Sequence, residues 1–282
     1  MAAAIAGLIH PGEMGVTVGA ALKTAGARVL WSSAGRGEAT QSRAAEAGFE
    51  DAVTLARVAA SCDIVFSVCP PHAALEVAKA VAAEKFSGRY VDANAISPEA
   101  ARQVKQVVEV AGASFIDGGI IGPPARSPGT TRIYLSGPEA EAAAHLFDGS
   151  LLDAEVVAGA ATAASALKMA YAAWTKGSAA LLLAVRALAR AEGIEEPLLR
   201  EWGISQPGLE KRSDQAATGN AFKAWRFVAE MDEIARTFGS AGLPDGFHRA
   251  AAEVYARLKC FKDHPAPPAP AEVVERLLRT RT

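Results

Sequence analysis

Residues 7–15 read Gly-Leu-Ile-His-Pro-Gly-Glu-Met-Gly, and they join the first strongly apolar run of the chain to its first amphipathic segment. The apolar run Ala4–Ile9 predicts a strand, while residues 14–25 repeat apolar side chains at helical spacing and are followed by Gly26. A glycine-rich turn between a strand and a helix leaves backbone N–H groups free at the positive end of the helix dipole. The turn therefore predicts an anion site at the start of the first helix.

Short apolar runs alternate with amphipathic segments through residue 158. Further strands are predicted at Ala27–Ser32, Asp63–Cys69, Arg89–Ala93, Ser114–Asp117, Arg132–Ser136 and Glu155–Val157. Helices are predicted near 41–47 and 73–83, and two more begin at Ser97-Pro98 and Gly137-Pro138-Glu139. Because the early strands are continuously apolar, we expect a parallel sheet buried on both faces. The class is α/β, with an N-terminal Rossmann domain (a doubly wound parallel sheet) over residues 1–158.

The pattern changes after Gly159, beyond which no strand is predicted. The predicted helices are Ala160–Glu192, Glu196–Trp202, Asn220–Phe238, Phe247–Leu258 and Ala271–Arg279, with a proline-rich connector at Pro265–Pro270. Residues 159–282 are therefore expected to form an all-α C-terminal domain.

Composition narrows the function classes. The 282 residues are 50 % hydrophobic with a net charge of −2, which disfavours binding to nucleic acid or to an anionic membrane surface. The cysteines Cys62, Cys69 and Cys260 have no CxxC spacing, and the histidines form no metal-ligand pattern, so we expect reduced thiols and no metal. Residues 1–5 carry no basic region typical of a secretory signal, which favours a cytoplasmic protein.

The glycine-rich turn predicts a dinucleotide site because it lies inside a strand–helix–strand context. Gly12 would let a phosphate approach the backbone, and Gly15 would let the helix pack on the strand. The fingerprint is incomplete, since His10 stands where its first glycine usually lies. The expected pyrophosphate contacts are His10, Pro11, Gly12, Glu13 and Met14. The alternative is an ordinary strand-to-helix turn.

The end of the second strand favours NADP over NAD. NAD enzymes usually carry an acidic residue there, whereas residues 31–36 read Trp-Ser-Ser-Ala-Gly-Arg and contain no carboxylate. Ser32, Ser33 and Arg36 are donors suited to a 2′-phosphate, and Arg43 lies close behind. The alternative is a solvated polar loop.

The order of these motifs resembles the β-hydroxyacid dehydrogenase group, which includes 6-phosphogluconate dehydrogenase. The resemblance rests on residues 7–15, 63–70, 115–122 and 159–168, while 226–231 and 242–244 resemble the C-terminal domain of a 6-phosphogluconate dehydrogenase-like subgroup. It implies an NADP-dependent oxidoreductase that acts on a small molecule and dimerises through its helical domain. It also implies that residues 115–122 include a substrate loop, that Cys69 and Pro70 lie beside the nicotinamide, and that Asn94 positions its ribose or the substrate.

Lys168 matches the catalytic lysine of the group. It lies within the apolar helical run 163–170, where desolvation would lower its pKa toward the working range of an acid–base catalyst. The alternative is a lysine that extends its amine to solvent.

Three departures from the group disfavour 6-phosphogluconate as the substrate. Ala172 replaces an orienting asparagine, Ile121 replaces the loop serine, and Thr175 replaces a glutamate that reprotonates the enediol. A less polar or bulkier substrate is expected. Its predicted walls are Ile121, Gly122, Tyr171 and Trp174, although aromatic residues at the last two positions are equally typical of a helical core.

These observations predict reversible hydride transfer between NADP(H) and a hydroxyl or carbonyl carbon, with Lys168 as the acid–base group. Two alternatives stay open, an imine reductase of the same fold and a non-catalytic NADP-binding protein. Arg226, Glu230 and Glu233 share one helix face, which predicts either a solvated ion-pair stripe or a polar site wall across a subunit interface.

Overall fold

The computed structural model describes residues 3–279 and separates into two compact units, of which unit 1 ends at Met169 and unit 2 begins at Ala170. The predicted domain boundary at Gly159 precedes this division, which falls inside the long helix α7 (Ala163–Ala191). The first two helical turns of α7 therefore belong to unit 1.

Unit 1 is built on an eight-stranded sheet with the strand order β3-β2-β1-β4-β5-β6-β7-β8. The strands are β1 Ile5–Leu8, β2 Arg28–Trp31, β3 Glu50–Asp51, β4 Ile64–Ser67, β5 Arg89–Asp92, β6 Ser114–Ile121, β7 Arg132–Ser136 and β8 Asp153–Val156. All neighbouring pairs are parallel except β6 and β7. The strand order reverses between β1 and β4, which is where doubly wound sheets open a ligand crevice. The α/β prediction with an N-terminal Rossmann domain is confirmed.

Helices cover both faces of this sheet. They are α1 Glu13–Thr24, α2 Glu38–Glu46, α3 Leu55–Ser61, α4 Ala74–Ala83, α5 Pro98–Val110 and α6 Ala140–Ala144. Successive residues of a strand point to opposite faces, so Phe66 enters one apolar layer and its neighbour Val65 the other. Burial on both faces explains why the early strands lack polar alternation.

Two local differences from the sequence analysis affect the site. The strand predicted at 114–117 continues to Ile121, because residues 117–121 pair antiparallel with β7. The implied substrate loop is therefore largely strand. The two-residue β3 and the short helix α3 were not predicted, since neither segment is long enough to show a clear periodicity.

Every regular element of unit 2 is helical within the part of the chain that the structure describes. After α7 come α8 Glu195–Ser205, α9 Leu209–Ala221, α10 Ala224–Ser240, α11 Gly246–Arg257 and α12 Pro270–Leu278. The predicted all-α C-terminal region is confirmed. Helix α9 was missed because its polar sequence has no strong apolar stripe, and the helix predicted from Asn220 begins at Ala224 instead. None of the helices within 3–279 combines the length and hydropathy required to cross a bilayer.

Candidate cofactor and active site

The glycine-rich turn lies between β1 and α1 at the point where the strand order reverses. Gly12 immediately precedes α1, and its N–H donates to the carbonyl oxygen of His10 (2.8 Å). A Cβ atom on Gly15 would lie 2.1 Å from that same carbonyl oxygen, so only glycine lets α1 pack this closely. A Cβ atom on Gly12 would meet nothing within 4 Å. The backbone of Gly12 is therefore open to a ligand, beside the exposed Glu13 and the half-buried Met14.

Two buried polar atoms at this turn have no partner among residues 3–279. They are Nδ1 of His10 and Nε of Arg36, the latter in the loop that follows β2. Burial, and then the charge of Arg36, lower the pKa of His10 to about 4, so its imidazole is neutral at pH 7. Burial also lowers the pKa of Arg36 from its usual value. Because buried polar groups rarely stay unpaired, these atoms fit an anionic ligand such as a dinucleotide.

The two serines after β2 are already engaged by the protein. The Ser32 hydroxyl donates to the carbonyl oxygen of Val53 (3.1 Å), and the Ser33 N–H donates to Oδ1 of Asp51 (3.3 Å). Asp51 lies on β3 opposite Trp31, so the sheet brings a carboxylate beside the end of β2. No local pattern near residues 31–36 could have indicated it, because the strand pairing places it there.

Arg43 supports the turn instead of extending into open space. Its Nε donates to the carbonyl oxygen of Pro11 (3.2 Å), and its Nη2 donates to the Thr40 hydroxyl (3.2 Å). Pro11 is buried. Arg43 therefore stabilises the backbone of the turn just before the first helix.

Asn94 joins the carboxyl ends of β4 and β5. Its Oδ1 accepts from the Cys69 N–H (2.5 Å), and its Nδ2 donates to Oγ of Ser67 (3.1 Å) and to Oδ2 of Asp92 (2.9 Å). Burial, followed by the nearby charge of Asp92, raises the pKa of the Cys69 thiol to about 12. Cys69 therefore stays a neutral thiol, next to the exposed Pro70.

Asp92 and Asp117 are buried carboxylates directly opposite each other on β5 and β6. Burial raises the pKa of Asp92 to about 7 although Asn94 donates to it, and the charge of Asp117 adds to the rise. Burial likewise raises the pKa of Asp117 to about 6, although Ser165 and Ser136 donate to it. The two carboxylates thus lie side by side, Asp92 bonded to Asn94 and Asp117 bonded to the first turn of α7.

Lys168 lies in the second turn of α7 and is half-buried. Its Cβ is 3.0 Å from the position that a Cβ on Gly119 of β6 would occupy. One turn earlier on the helix, the N–H and hydroxyl of Ser165 donate to Asp117 (2.7 and 2.5 Å). Lys168 therefore belongs to unit 1, as do the glycine-rich turn and Asn94 with its hydrogen-bond partners.

The four predicted substrate walls occupy different surroundings. Ile121 is 7 % exposed at the end of β6, which leaves little surface for a ligand. Gly122 has a φ of 125°, and a Cβ there would lie 2.4 Å from the carbonyl oxygen of Thr130, so this glycine is needed for the chain path. In unit 2, Tyr171 is 48 % and Trp174 65 % exposed, so the interpretation of both as core is wrong.

The polar face of α10 is not a solvated stripe. Glu230 and Glu233 are buried, and they pair with Lys176 and Arg236 respectively. Arg226 lies over the Trp225 ring, 4.9 Å from its centroid. Among residues 3–279, no group of three or more histidine, cysteine or acidic side chains could hold a metal ion, and all three cysteines are free.

Two family models match the chain, one within each of the two units. Residues 5–148 match the family described as the NAD binding domain of 6-phosphogluconate dehydrogenase. Residues 189–258 match the family described as "Domain of unknown function (DUF1932)". No curated protein sequence matches the chain.

Solved structures match over nearly the whole length. The conserved protein MTH1747, of unknown function and described as similar in structure to 3-hydroxyacid dehydrogenases, is 28 % identical, with a TM-score of 0.69 over 91 % of this chain and 97 % of that one. A conserved hypothetical protein from Sinorhizobium meliloti 1021 is 26 % identical, with a TM-score of 0.73 over 98 % and 96 %. An imine reductase variant from Myxococcus stipitatus in complex with NAD+ shares the fold at 17 % identity, with a TM-score of 0.55 over 99 % and 100 %.

Proposed function

Because the chain belongs to the family defined by the NAD binding domain of 6-phosphogluconate dehydrogenase, and is an NAD(P)-dependent dehydrogenase or reductase, we propose that it interconverts a hydroxyl and a carbonyl group with NADP(H). The bound nicotinamide supplies the hydride acceptor or donor. The chain supplies the acid–base group, the cofactor contacts and the orientation of the substrate. Residues 1–158 are proposed as the cofactor domain, and residues 159–282 as the helical substrate and dimerisation domain.

The position of Lys168 is the observation that carries the proposal. It is a half-buried residue of α7 whose Cβ lies next to Gly119 of β6, and it belongs to the same unit as the glycine-rich turn. In oxidation, Lys168 would take the proton of the substrate hydroxyl while the hydride leaves the carbon. In reduction, it would return that proton to the carbonyl oxygen and stabilise the developing negative charge.

Arg36 supports NADP as the preferred cofactor. Its buried Nε has no partner among residues 3–279, and a guanidinium binds phosphate with strong charge-assisted hydrogen bonds. Asp51 favours the opposite choice, since a carboxylate can accept from a ribose diol. However, this carboxylate already accepts from the N–H groups of Ser33 and Val53 (3.3 and 2.7 Å). We therefore place the adenosine 2′-phosphate against Arg36, with Ser32 and Ser33 nearby.

The substrate proposed is a small molecule less polar than a sugar-phosphate acid. Ala172 and Thr175 offer no amide or carboxyl group at positions where the resemblance calls for them. The exposed rings of Tyr171 and Trp174 are available for apolar contact, either with the substrate or with a second copy of the chain.

A homodimer through the helical unit is supported by the outer face of α7. Tyr171, Trp174, Leu181 and Leu188 recur at heptad-like spacing and are 48–65 % exposed. Such an apolar stripe is typical of a protein interface. Light scattering of the purified chain would decide the oligomeric state.

The test uses purified protein with a panel of short 3-hydroxy acids and NADP+, and the matching carbonyl compounds with NADPH. Lys168→Met keeps the apolar stem without the amine, and Lys168→Arg keeps the charge but cannot exchange a proton near neutral pH. We expect both variants to lose about 100-fold or more in kcat, since a positioned acid–base group contributes about 10²–10⁴-fold. Their NADPH dissociation constants, measured by fluorescence titration, should match wild type. Full activity in Lys168→Met would overturn the proposal.

The imine reductase alternative is favoured by Ile121, whose apolar side chain replaces the loop serine of the hydroxyacid enzymes, and by Ala172. It predicts that a cyclic imine is reduced while all hydroxy acids and ketones in the same panel fail. Lys168 argues against it, because those enzymes generally replace the helix lysine.

A further inference from the structure

Strand β6 contacts α7 at two points on one of its faces. Asp117 and Gly119 are two residues apart, so both project to the same side of the strand. Asp117 accepts from Ser165, and Gly119 lies against Ala164 and Lys168. One strand face therefore contacts both the first turn of the helix and the proposed catalytic residue.

The contact at Asp117 holds the start of α7 tightly. Its Oδ2 accepts from the Ser165 N–H (2.7 Å) and the Ser136 hydroxyl (3.3 Å), and its Oδ1 accepts from the Ser165 hydroxyl (2.5 Å). The Ser136 hydroxyl also accepts from the Ala164 N–H (3.0 Å). The N–H groups of a first helical turn have no partner within the helix, so this cluster caps α7 from outside its own sequence.

The contact at Gly119 sets how closely the helix approaches the sheet. A Cβ on Gly119 would lie 2.8 Å from the carbonyl oxygen of Ala164 and 3.0 Å from the Cβ of Lys168. The first is a backbone atom, so any side chain at 119 would push α7 outward. Strand β6 thus fixes both the position of α7 along its axis, through Asp117, and the distance between α7 and the sheet, through Gly119.

We propose that Asp117 is a positioning residue for Lys168. It acts through its hydrogen bonds to Ser165, while Gly119 sets the distance between α7 and the sheet. Ser165 lies three residues before Lys168, so the two are neighbours on the same helix face. Displacing this turn moves the amine relative to the substrate carbon and the nicotinamide, and a misplacement of about 1 Å can cost about 100-fold in rate. The inference rests on the proposed role of Lys168.

A second link joins this position to the cofactor side of the site. Asp92 lies opposite Asp117 on β5, and it accepts from the backbone N–H and Nδ2 of Asn94. Asn94 in turn accepts from the Cys69 N–H at the end of β4. The helical turn that carries Lys168 and the proposed nicotinamide contacts Cys69 and Asn94 are therefore both held by the ends of adjacent strands of one sheet.

The first experiment compares two matched serine variants. Ser165 and Ser213 are both buried helical serines whose hydroxyl bonds a charged side chain, Asp117 in one case and Arg186 in the other. Ser165→Ala is expected to lower kcat about tenfold with little change in the NADPH dissociation constant. Ser213→Ala is expected to lower the melting temperature by about as much as Ser165→Ala does and to leave kcat unchanged. Equal kcat values for the two variants, below both melting temperatures, would reject the positioning role.

The second experiment tests whether Asp117 acts through Lys168. Asp117→Asn should lower kcat about 100-fold in the wild-type background and by less than about twofold in the Lys168→Met background. Losses that multiply in the double variant would contradict the inference. Because Asp117→Asn is a buried change, Gly119→Ala serves as a second variant, which retains the Asp117 and Ser165 side chains and displaces α7 by steric contact with Ala164. It should lower kcat at an unchanged NADPH dissociation constant.

The outcomes separate the two proposals. If Lys168→Met keeps full activity, the proposed function fails. If Lys168→Met is inactive while Ser165→Ala, Asp117→Asn and Gly119→Ala all keep full kcat as folded proteins, only the positioning inference fails.

Discussion

Arg36 in unit 1 is half-buried and Arg186 in unit 2 is buried, and the two arginines differ in their hydrogen-bond partners. Arg186 is 7 % exposed, and the three nitrogens of its guanidinium donate to Glu195 (2.8 and 3.0 Å), Ser213 (2.7 Å) and Asp214 (3.1 Å). The half-buried Arg36 has a buried Nε without a partner in residues 3–279, beside the equally unpartnered Nδ1 of His10. The protein itself satisfies the hydrogen-bonding groups of Arg186, whereas the proposed 2′-phosphate would satisfy those of Arg36.

The buried or half-buried carboxylates of the two units also differ in whether a cation is hydrogen-bonded to them. Burial disfavours the charge of Glu195, yet hydrogen bonds from Arg186 and Arg190 lower its pKa below the usual range. Within the described part of the chain, Asp92 and Asp117 have no such cation among their hydrogen-bond partners, and burial raises the pKa of each. Perturbed groups of this kind cluster at functional sites, so the difference supports the proposal that the chemistry takes place in unit 1.

The largest expected effect is on stability, from Arg186→Ala. Removing the buried guanidinium leaves Ser213 and Asp214 without this partner and Glu195 with Arg190 alone, which costs about 3–5 kcal/mol of unfolding free energy. Denaturant unfolding measures the loss, and NADPH titration of the folded variant should give the wild-type dissociation constant. A loss below about 1 kcal/mol, or weaker cofactor binding, would show that the two arginines are not specialised as described.

The next effect is a pH dependence from Asp92→Asn. Because the folded-state pKa of Asp92 is raised to about 7, the native state binds the proton more tightly than the unfolded chain. The contribution of Asp92 to stability is therefore undiminished below about pH 4 and falls as the pH rises to about 7. Over that window, the stability of wild type minus that of Asp92→Asn should decrease by an amount on the order of 3 kcal/mol.

The pH slope of this difference is the decisive quantity, because any packing that the substitution disturbs shifts the whole curve without changing its slope. Unfolding free energies of both proteins at several pH values between about 4 and 8 provide it. A difference that stays flat, or that grows with pH, would mean that the Asp92 carboxylate is not held in the way its burial implies.

The smallest expected effect is on cofactor affinity, from Arg36→Ala. Losing its bonds to a 2′-phosphate should weaken NADPH binding about 10- to 100-fold, or about 1.4–2.8 kcal/mol, and leave NADH binding nearly unchanged. Arg28→Ala is the matched control, because that exposed arginine lies at the opposite end of β2 and pairs with Glu50. Equal losses for NADPH and NADH would assign Arg36 to the pyrophosphate, and no loss would remove it from the site.

Much of the fold could be predicted, because its signals are local. Apolar runs marked β1, β2, β4 and β5 as buried strands, and the turn at 7–15 marked the start of α1. The signal failed where pairing, not composition, decides the structure: β6 extends to Ile121 because β7 lies beside it. It failed again at α9, where a polar helix is stabilised by neighbours and not by its own periodicity.

The residues of the candidate site likewise include some that local sequence could indicate and others that only distant contacts define. His10, Arg36 and Lys168 stood out by residue type within a recognisable context. Asp51, Asp92 and Asp117 did not, because each acquires its role from a residue on another strand or helix, such as Ser33, Asn94 or Ser165. Glu230 and Glu233 were placed on a single helix face correctly, but spacing alone could not tell that the face is buried.

The turn that opens the chain illustrates what each level decides. The sequence by itself determined a strand, a turn and a helix with a free N-terminus, since local sterics and hydrogen bonding depend only on neighbouring residues. Only the tertiary structure decided that a buried nitrogen of Arg36 finds no partner in residues 3–279, and that Asp117 caps the helix of Lys168. Such contacts depend on strand order and packing distance, which bring together residues far apart in the chain.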